Sequence, residues 1–263
     1  VSERFRIGTL RDLHTQPLYR TITSSPVFTG ELVLDTPAAH IDRMMAKECD
    51  AAFAAPMDYA LNSSDLVIVP GIGVSSAGFS GVARLYLRGT LDAIRTMAVG
   101  TVSATDVVLA RVVLGEKYDS APAVVPFSGT VEAMLDKADC ALVTGDALFG
   151  LTSRQPFLDL VDEWSDITEL PFVHTIAVMR DEAYSAPLAE LLSASQQAGR
   201  LELDAVAESL AAERSIPRSD LREFLSRFSY TFDDASRESL ETFFQMAFFH
   251  GMAGDVADIR FGS

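Results

Sequence analysis

Four polar stretches beside apolar runs, and one histidine inside such a run, carry the residue types that could do chemistry. The first is Gly100-Thr101-Val102-Ser103-Ala104-Thr105-Asp106, which follows the apolar run Thr96–Val99 and opens a long helical pattern. Ser103 and Asp106 have the S-x-x-D spacing of a capping box. Unpaired N–H groups at such a helix start, with hydroxyls beside them, make an anion site. Thr101, Ser103 and Thr105 are therefore candidates to grip a ligand carboxylate. An ordinary capped helix would carry the same residues, and the Asp106 carboxylate competes with an anion unless it points away. The second stretch is the turn Leu10-Arg11-Asp12-Leu13-His14-Thr15. Arg11 could pair with a carboxylate, and His14 could handle a proton near neutral pH. The alternative is a surface turn with Arg11 and Asp12 solvated.

Third comes the Gly- and Ser-rich segment Gly73-Val74-Ser75-Ser76-Ala77-Gly78, read as a loop that offers N–H and hydroxyl donors through Ser75 and Ser76. It is not a nucleophile elbow, because G-x-S-x-G requires glycine where Ala77 stands. Fourth, Asp146 follows Gly145 at a strand end, placed to receive a ligand hydroxyl or to cap the next helix. Finally, His174 lies inside the apolar run Phe172–Val178. A histidine there is either a satisfied core residue or, on a crossover strand, a ligand contact. Trp164, Phe243, Phe244, Phe248 and Phe249 read as helix packing rather than an aromatic cage.

The elements that position these residues alternate. Strands are expected at Phe5–Leu10, Val27–Leu34, Ala51–Ala55, Leu66–Val69 and Val82–Leu87, with helices at Thr15–Ile22 and from Pro37 through Lys47, Thr36 serving as the N-cap. A second series follows: strands at Thr96–Val99, Val124–Phe127 and Cys140–Thr144, with helices at Ser103–Lys117, Ser128–Lys137 and after Gly145-Asp146. After the strand Phe172–Val178 the chain reads as helical to its end, in Ser185–Gln197, Asp204–Glu213, Pro217–Phe228 and Asp233–His250. This is βαβ logic, so parallel sheets with helices on their faces are expected. Two series and a helical tail point to an α/β protein of two lobes: residues 1–90 with 177–263, and residues 91–176. Crossovers fall near Arg88–Leu91 and Phe172–Val178, and ligands bind beyond the carboxyl ends of the strands, in the cleft between the lobes.

Composition narrows the partners. A net charge of −16 over 263 residues argues against nucleic acid and anionic membrane surfaces. Any anion site must be built locally, from N–H groups or a few placed cations. Cys49 and Cys140 lie far apart and read as buried thiols. No zinc spacing, no membrane-length apolar run and no signal-peptide core is visible, so the expected location is cytoplasmic. A homodimer is compatible with this reading.

Together these segments resemble the chorismate dehydratases of the futalosine route of menaquinone biosynthesis. The resemblance runs over nearly the whole chain: Arg6-Ile7-Gly8 with Pro17-Leu18, Asp50-Ala51-Ala52-Phe53 with Pro56 and Tyr59, Pro70 through Ser76 with Gly78, Leu109-Ala110-Arg111, Gly145-Asp146-Ala147-Leu148, and Glu163-Trp164 followed by Leu170-Pro171-Phe172-Val173. It implies a type 2 periplasmic-binding-protein fold with two hinge strands, used by an enzyme. The implied reaction removes water from chorismate to give 3-[(1-carboxyvinyl)oxy]benzoate, with no metal or organic cofactor. By this resemblance Thr101, Ser103 and Thr105 bind a carboxylate, Ser75 and Ser76 hold polar groups, and His14 stands where the family usually has asparagine. Asp146 faces the ring hydroxyl or fixes its loop. The chain departs from the family pattern at His14, at Gly81 or Val82 where a serine is usual, and at His174 and Ala177. These departures keep a second reading open, a non-catalytic binding protein of the same fold for a small aromatic or carboxylic acid. A third is the sister branch that acts on a cyclised futalosine product.

Overall fold

The computed structural model describes residues 4–26 and 28–263. In chain order the strands are Phe5–Thr9 (β1), Gly30–Leu34 (β2), Ala51–Ala54 (β3), Leu66–Ser76 (β4), Ala83–Leu87 (β5), Thr96–Val99 (β6), Ala123–Pro126 (β7), Cys140–Thr144 (β8), Phe157–Asp159 (β9), Phe172–Arg180 (β10) and Phe228–Phe232 (β11). The α-helices are Pro37–Met45 (α1), Pro56–Ala60 (α2), Ala104–Tyr118 (α3), Val131–Leu135 (α4), Leu160–Thr168 (α5), Ala186–Leu201 (α6), Leu203–Arg214 (α7), Arg218–Leu225 (α8) and Asp234–Phe249 (α9). The residues group into two compact units. One comprises the chain up to Ser76, Val173–Glu241 and Ala257–Ser263; the other comprises Ala77–Phe172 and Thr242–Val256.

The first unit holds a six-stranded sheet in the order β11-β4-β10-β3-β1-β2. Here β1 runs parallel to β2 and β3, whereas β10 is antiparallel to β3 and β11 is antiparallel to β4. The second unit holds a five-stranded sheet, β7-β6-β8-β5-β9, with β6 parallel to β7 and β8 and β5 antiparallel to β8 and β9. Both sheets are thus mixed, not parallel throughout. Short apolar runs name strands without giving their direction, which is set by the connections. The run at Ala83–Leu87 belongs to the second sheet rather than closing the first series.

Other departures from the sequence expectation have local causes. The helix expected over Thr15–Ile22 is two 3₁₀ turns, Leu13–Leu18 and Ile22–Ser24, because Pro17 removes an N–H donor from the ladder. The second strand begins at Gly30, and Val27 lies outside the described residues. Of the Gly- and Ser-rich segment, residues 73–76 are not loop but the end of β4, and Ala77-Gly78 follow the strand. Glycine is required there at Gly73, where a Cβ would come within 2.9 Å of the Thr175 carbonyl oxygen and 3.2 Å of the Phe232 ring. The tail is interrupted by β11, whose Phe228, Tyr230 and Phe232 are buried while Ser229 is exposed. That period of two outweighs the helical reading of Pro217–Phe228. Gly145-Asp146 opens one 3₁₀ turn, Gly145–Leu148, before β9 and α5.

Each unit has its own apolar core. In the second unit Trp164, Phe172 and Phe243 meet edge to face, with centroids 5.3–5.8 Å apart, a geometry that adds to area burial. Phe243 and Phe244 are buried as expected, but Phe248 and Phe249 are exposed at the end of α9. Cys49 and Cys140 are free, buried thiols, and burial pushes the Cys140 thiol up to about 12. Among the described residues no helix is long and apolar enough to cross a membrane.

Candidate functional site

In the first unit the chain leaves β1 at Leu10 and turns at once into the 3₁₀ segment that carries His14. The turn is tied down by its own side chains. Thr15 Oγ1 donates to the Asp12 carbonyl at 2.8 Å, and Gln16 Nε2 donates to the Leu10 carbonyl at 3.2 Å and to Tyr19 Oη at 2.6 Å. The Tyr19 hydroxyl donates to the same Leu10 carbonyl. These bonds satisfy carbonyls that a 3₁₀ turn leaves open and turn His14 inward. Arg11, by contrast, has an exposed side chain. Its carbonyl accepts from Gln16 Nε2 at 3.3 Å and Arg214 Nη2 at 2.9 Å.

His14 meets residues from β10 and β11. Its ring stacks on Phe228 at 5.2 Å between centroids and meets the His174 ring edge-on at 5.4 Å. His174 Nε2 lies 2.8 Å from Ser76 Oγ, the last residue of β4. His14 is only 8% exposed, and its Nδ1 has no hydrogen-bond partner among the described residues. Burial lowers the His14 pKa, with Asp12 opposing, and burial followed by the nearby His14 lowers that of His174 well below the ordinary imidazole value. Both rings are therefore neutral at pH 7, and each can accept as well as donate a hydrogen bond. The arrangement is a buried cluster with a hydroxyl paired to a neutral imidazole and a second imidazole nitrogen without a partner among the described residues. It suits holding an oxygen-rich ligand and moving one proton.

Ser75 takes no part in this cluster. Successive strand residues face opposite sides, and Ser75 Oγ lies 3.5 Å from Ser236 Oγ of α9. The residue that sequence reasoning missed is Phe228, hidden in an expected helix; the alternation Phe-Ser-Tyr-Thr-Phe over 228–232 was the signal for it.

In the second unit the capping box forms as its spacing demands. Ser103 is the N-cap of α3; its Oγ accepts from the Asp106 N–H at 3.1 Å and donates to Asp106 Oδ2 at 2.9 Å. Thr101 is exposed and Thr105 is buried. A Cβ at Gly100 would sit 2.9 Å from Ser128 Oγ, so the loops after β6 and β7 touch. Asp146 is half-buried in its 3₁₀ turn, and its carbonyl accepts from the Phe149 N–H at 3.0 Å. Ser80 donates to Asp159 Oδ1 at 3.2 Å. Asp159 also accepts from the Gly81 N–H at 2.7 Å and the Val161 N–H at 3.1 Å. This buried carboxylate thus ties the segment after β4 to the start of α5. Among the described residues no group of three or more His, Cys, Asp or Glu comes together as a metal site.

The chain is similar to known proteins along nearly its full length. A chorismate dehydratase of Thermus thermophilus is 23% identical over 255 residues, covering 90% of this chain and 93% of that protein. Among solved structures, protein AF1704 from Archaeoglobus fulgidus superposes with a TM-score of 0.75 at 17% identity, covering 95% of this chain and 98% of that one. The alkanesulfonate-binding protein SsuA from Xanthomonas axonopodis pv. citri, solved with MOPS bound, gives 0.71 at 12% identity over 97% and 95% of the two chains. A Candida albicans gene product described as having the generic periplasmic-binding-protein fold gives 0.59 at 8% identity over 99% of each chain. The two mixed sheets are thus arranged in the periplasmic-binding-protein fold. The match to the description "Menaquinone biosynthesis" spans residues 5–248, and the chain belongs to that family.

Proposed function

We propose that this protein is a chorismate dehydratase. The observation that carries the reading is the likeness to the Thermus thermophilus enzyme, which extends over 90% of this chain and 93% of that one. The buried Ser76–His174–His14 cluster supports it with suitable chemistry. In the elimination, the ring carbon bearing the enolpyruvyl ether loses a proton, and that C–H electron pair becomes a ring double bond. The neighbouring carbon releases its hydroxyl, which takes up a proton and departs as water. Chorismate thereby becomes 3-[(1-carboxyvinyl)oxy]benzoate plus water, with no redox change. Aromatisation drives the step, so the protein needs only to orient the leaving group, supply a proton path and exclude bulk water.

In this reading Ser76 Oγ donates to the leaving hydroxyl, and neutral His174 polarises Ser76. His14 offers its open Nδ1 to a substrate oxygen, in the position where the family usually has asparagine. The reaction lies in menaquinone biosynthesis by the futalosine route, and the protein acts in the cytoplasm.

The test is incubation of purified protein with chorismate, following substrate loss and product appearance by liquid chromatography. Turnover above the uncatalysed background is expected, and His14→Ala is expected to reduce it. Turnover that His14→Ala leaves unchanged removes His14 from the mechanism. Thermal stabilisation by chorismate without turnover moves the protein to the binding-protein reading.

A further inference from the structure

One cation of the second unit packs on aromatic rings without a carboxylate partner among the described residues. Arg84 is the second residue of β5 and its side chain is half-buried. Its guanidinium carbon lies 4.5 Å from the centroid of the Phe157 ring and 5.4 Å from that of Phe79. Both rings are open to solvent, at 40% and 43% exposure. In the β5–β9 register Arg84 stands opposite Asp159 and Tyr86 opposite Phe157, so these four side chains share one face of the sheet.

The chain carries a net charge of −16, and Arg20, Arg43, Arg88, Arg222 and Arg260 all meet carboxylates. Arg84 forms no ion pair among the described residues. Asp159, the acid that the register brings closest, turns its oxygens to Ser80, Gly81, Val161 and Asp162. The Nε of Arg84 is buried with no hydrogen-bond partner, and Nη1 reaches only Tyr86 Oη, at 3.5 Å. A desolvated cation without a counter-charge is costly, and ring contact offsets part of that cost. With Nε buried, the terminal N–H groups of Nη1 and Nη2 are the ones left for an acceptor. A carboxylate takes two of those N–H groups as a fork. The exposed Phe79 and Phe157 rings beside it offer flat apolar surface to whatever carries that carboxylate.

We propose that Arg84, with Phe79 and Phe157, forms a recognition site for a small aryl carboxylate. The carboxylate forks onto the terminal Nη1 and Nη2 N–H groups of Arg84, and the flat body of the ligand lies against the exposed rings. This site stands apart from the dehydratase reading, which assigns Arg84 no part.

The experiment is calorimetric titration of the full chain with benzoate, with neutral benzamide as the control. Wild type is expected to bind benzoate saturably and benzamide far more weakly. Arg84→Gln is expected to weaken benzoate at least tenfold, about 1.4 kcal/mol. Arg84→Lys falls between the two, because an ammonium keeps the charge and loses the fork. Ser76→Ala leaves benzoate binding unchanged, which separates this site from the first-unit cluster. Absence of saturable benzoate binding to wild type overturns the proposal. So does equal affinity in Arg84→Gln and wild type, or loss of binding in Ser76→Ala alone. If Arg84→Gln fails to fold, the Lys variant and the benzamide control still decide. Chorismate turnover measured on the same wild-type preparation reports on the dehydratase reading independently.

Discussion

Ser76 and His174 are joined by a single 2.8 Å hydrogen bond in a setting dry enough to keep the imidazole neutral. Ser76→Ala removes that bond and leaves the His174 nitrogen without the partner it had. The expected stability loss is about 1 kcal/mol, and the expected loss of chorismate turnover is about a hundredfold or more. A denaturant melt and an assay on one preparation separate the two effects. An unchanged turnover would place Ser76 outside the chemistry. The two histidines also set a pH signature. Burial depresses both folded-state pKa values below the ordinary 6.5. Above pH 6.5 the rings are neutral folded and unfolded alike, and they cost nothing. As pH falls below 6.5 the unfolded chain gains protons that the folded chain refuses, so stability falls. Asp58 opposes this, because burial raises its carboxyl to about 6 and the folded state then gains the proton first. The clean readout is therefore the difference between proteins. Melting temperature between pH 7 and pH 5 is expected to fall less steeply in His174→Gln than in wild type.

At the scale of elements, the 3₁₀ segment that carries His14 is held against α6. A Cβ at Gly199 would overlap the Pro17 carbonyl, so the helix and the turn touch through bare backbone. Gly199→Ala must push them apart, at a cost of about 1–3 kcal/mol, which a denaturant melt would register. Because the displaced turn carries His14, chorismate turnover is expected to fall as well, even though Gly199 contributes no side chain. The start of α3 poses a different question, whether Ser103 caps only or also grips an anion. Aspartate caps as well as serine but meets the Asp106 carboxylate where the Ser103 hydroxyl donated, so Ser103→Asp lowers the melting temperature slightly. If Ser103 also binds a substrate carboxylate, the same change raises the chorismate KM sharply. An unchanged KM assigns Ser103 to capping alone, the role that its two bonds with Asp106 already fill.

For the whole molecule the governing quantity is the net charge of −16. Like charges on a compact body repel, and salt shortens their reach from about 10 Å at 0.1 M to about 3 Å at 1 M. Melting temperature is therefore expected to rise with sodium chloride. A flat response would mean that the many surface ion pairs, such as Lys117 with Glu163 and Asp166, already compensate the field locally.

The sequence by itself determined what depends on neighbours along the chain. Thr36 before Pro37 and Ser103 before a helical run are local capping signals, and both caps form. Apolar runs such as Thr96–Val99 and Cys140–Thr144 are strands where they were expected, because a four- or five-residue buried run flanked by polar residues leaves little else. Tertiary structure decided what depends on partners distant in sequence. Whether Gly71–Ser76 became loop or strand rested on β11, more than about 150 residues away and itself disguised by helical neighbours on both sides. Once that strand pairs, the two-residue pleat sends Ser76 to His174 and Ser75 to Ser236, a separation that adjacent serines in a sequence never announce. The meeting of His14 with His174 has the same origin. A 3₁₀ turn fixed by Gln16 and Tyr19 aims one ring, a strand 160 residues later aims the other, and only the folded sheet brings them together. Arg84 was equally silent in the sequence, since a lone arginine in a strand shows its missing counter-charge only when its neighbours in space are known.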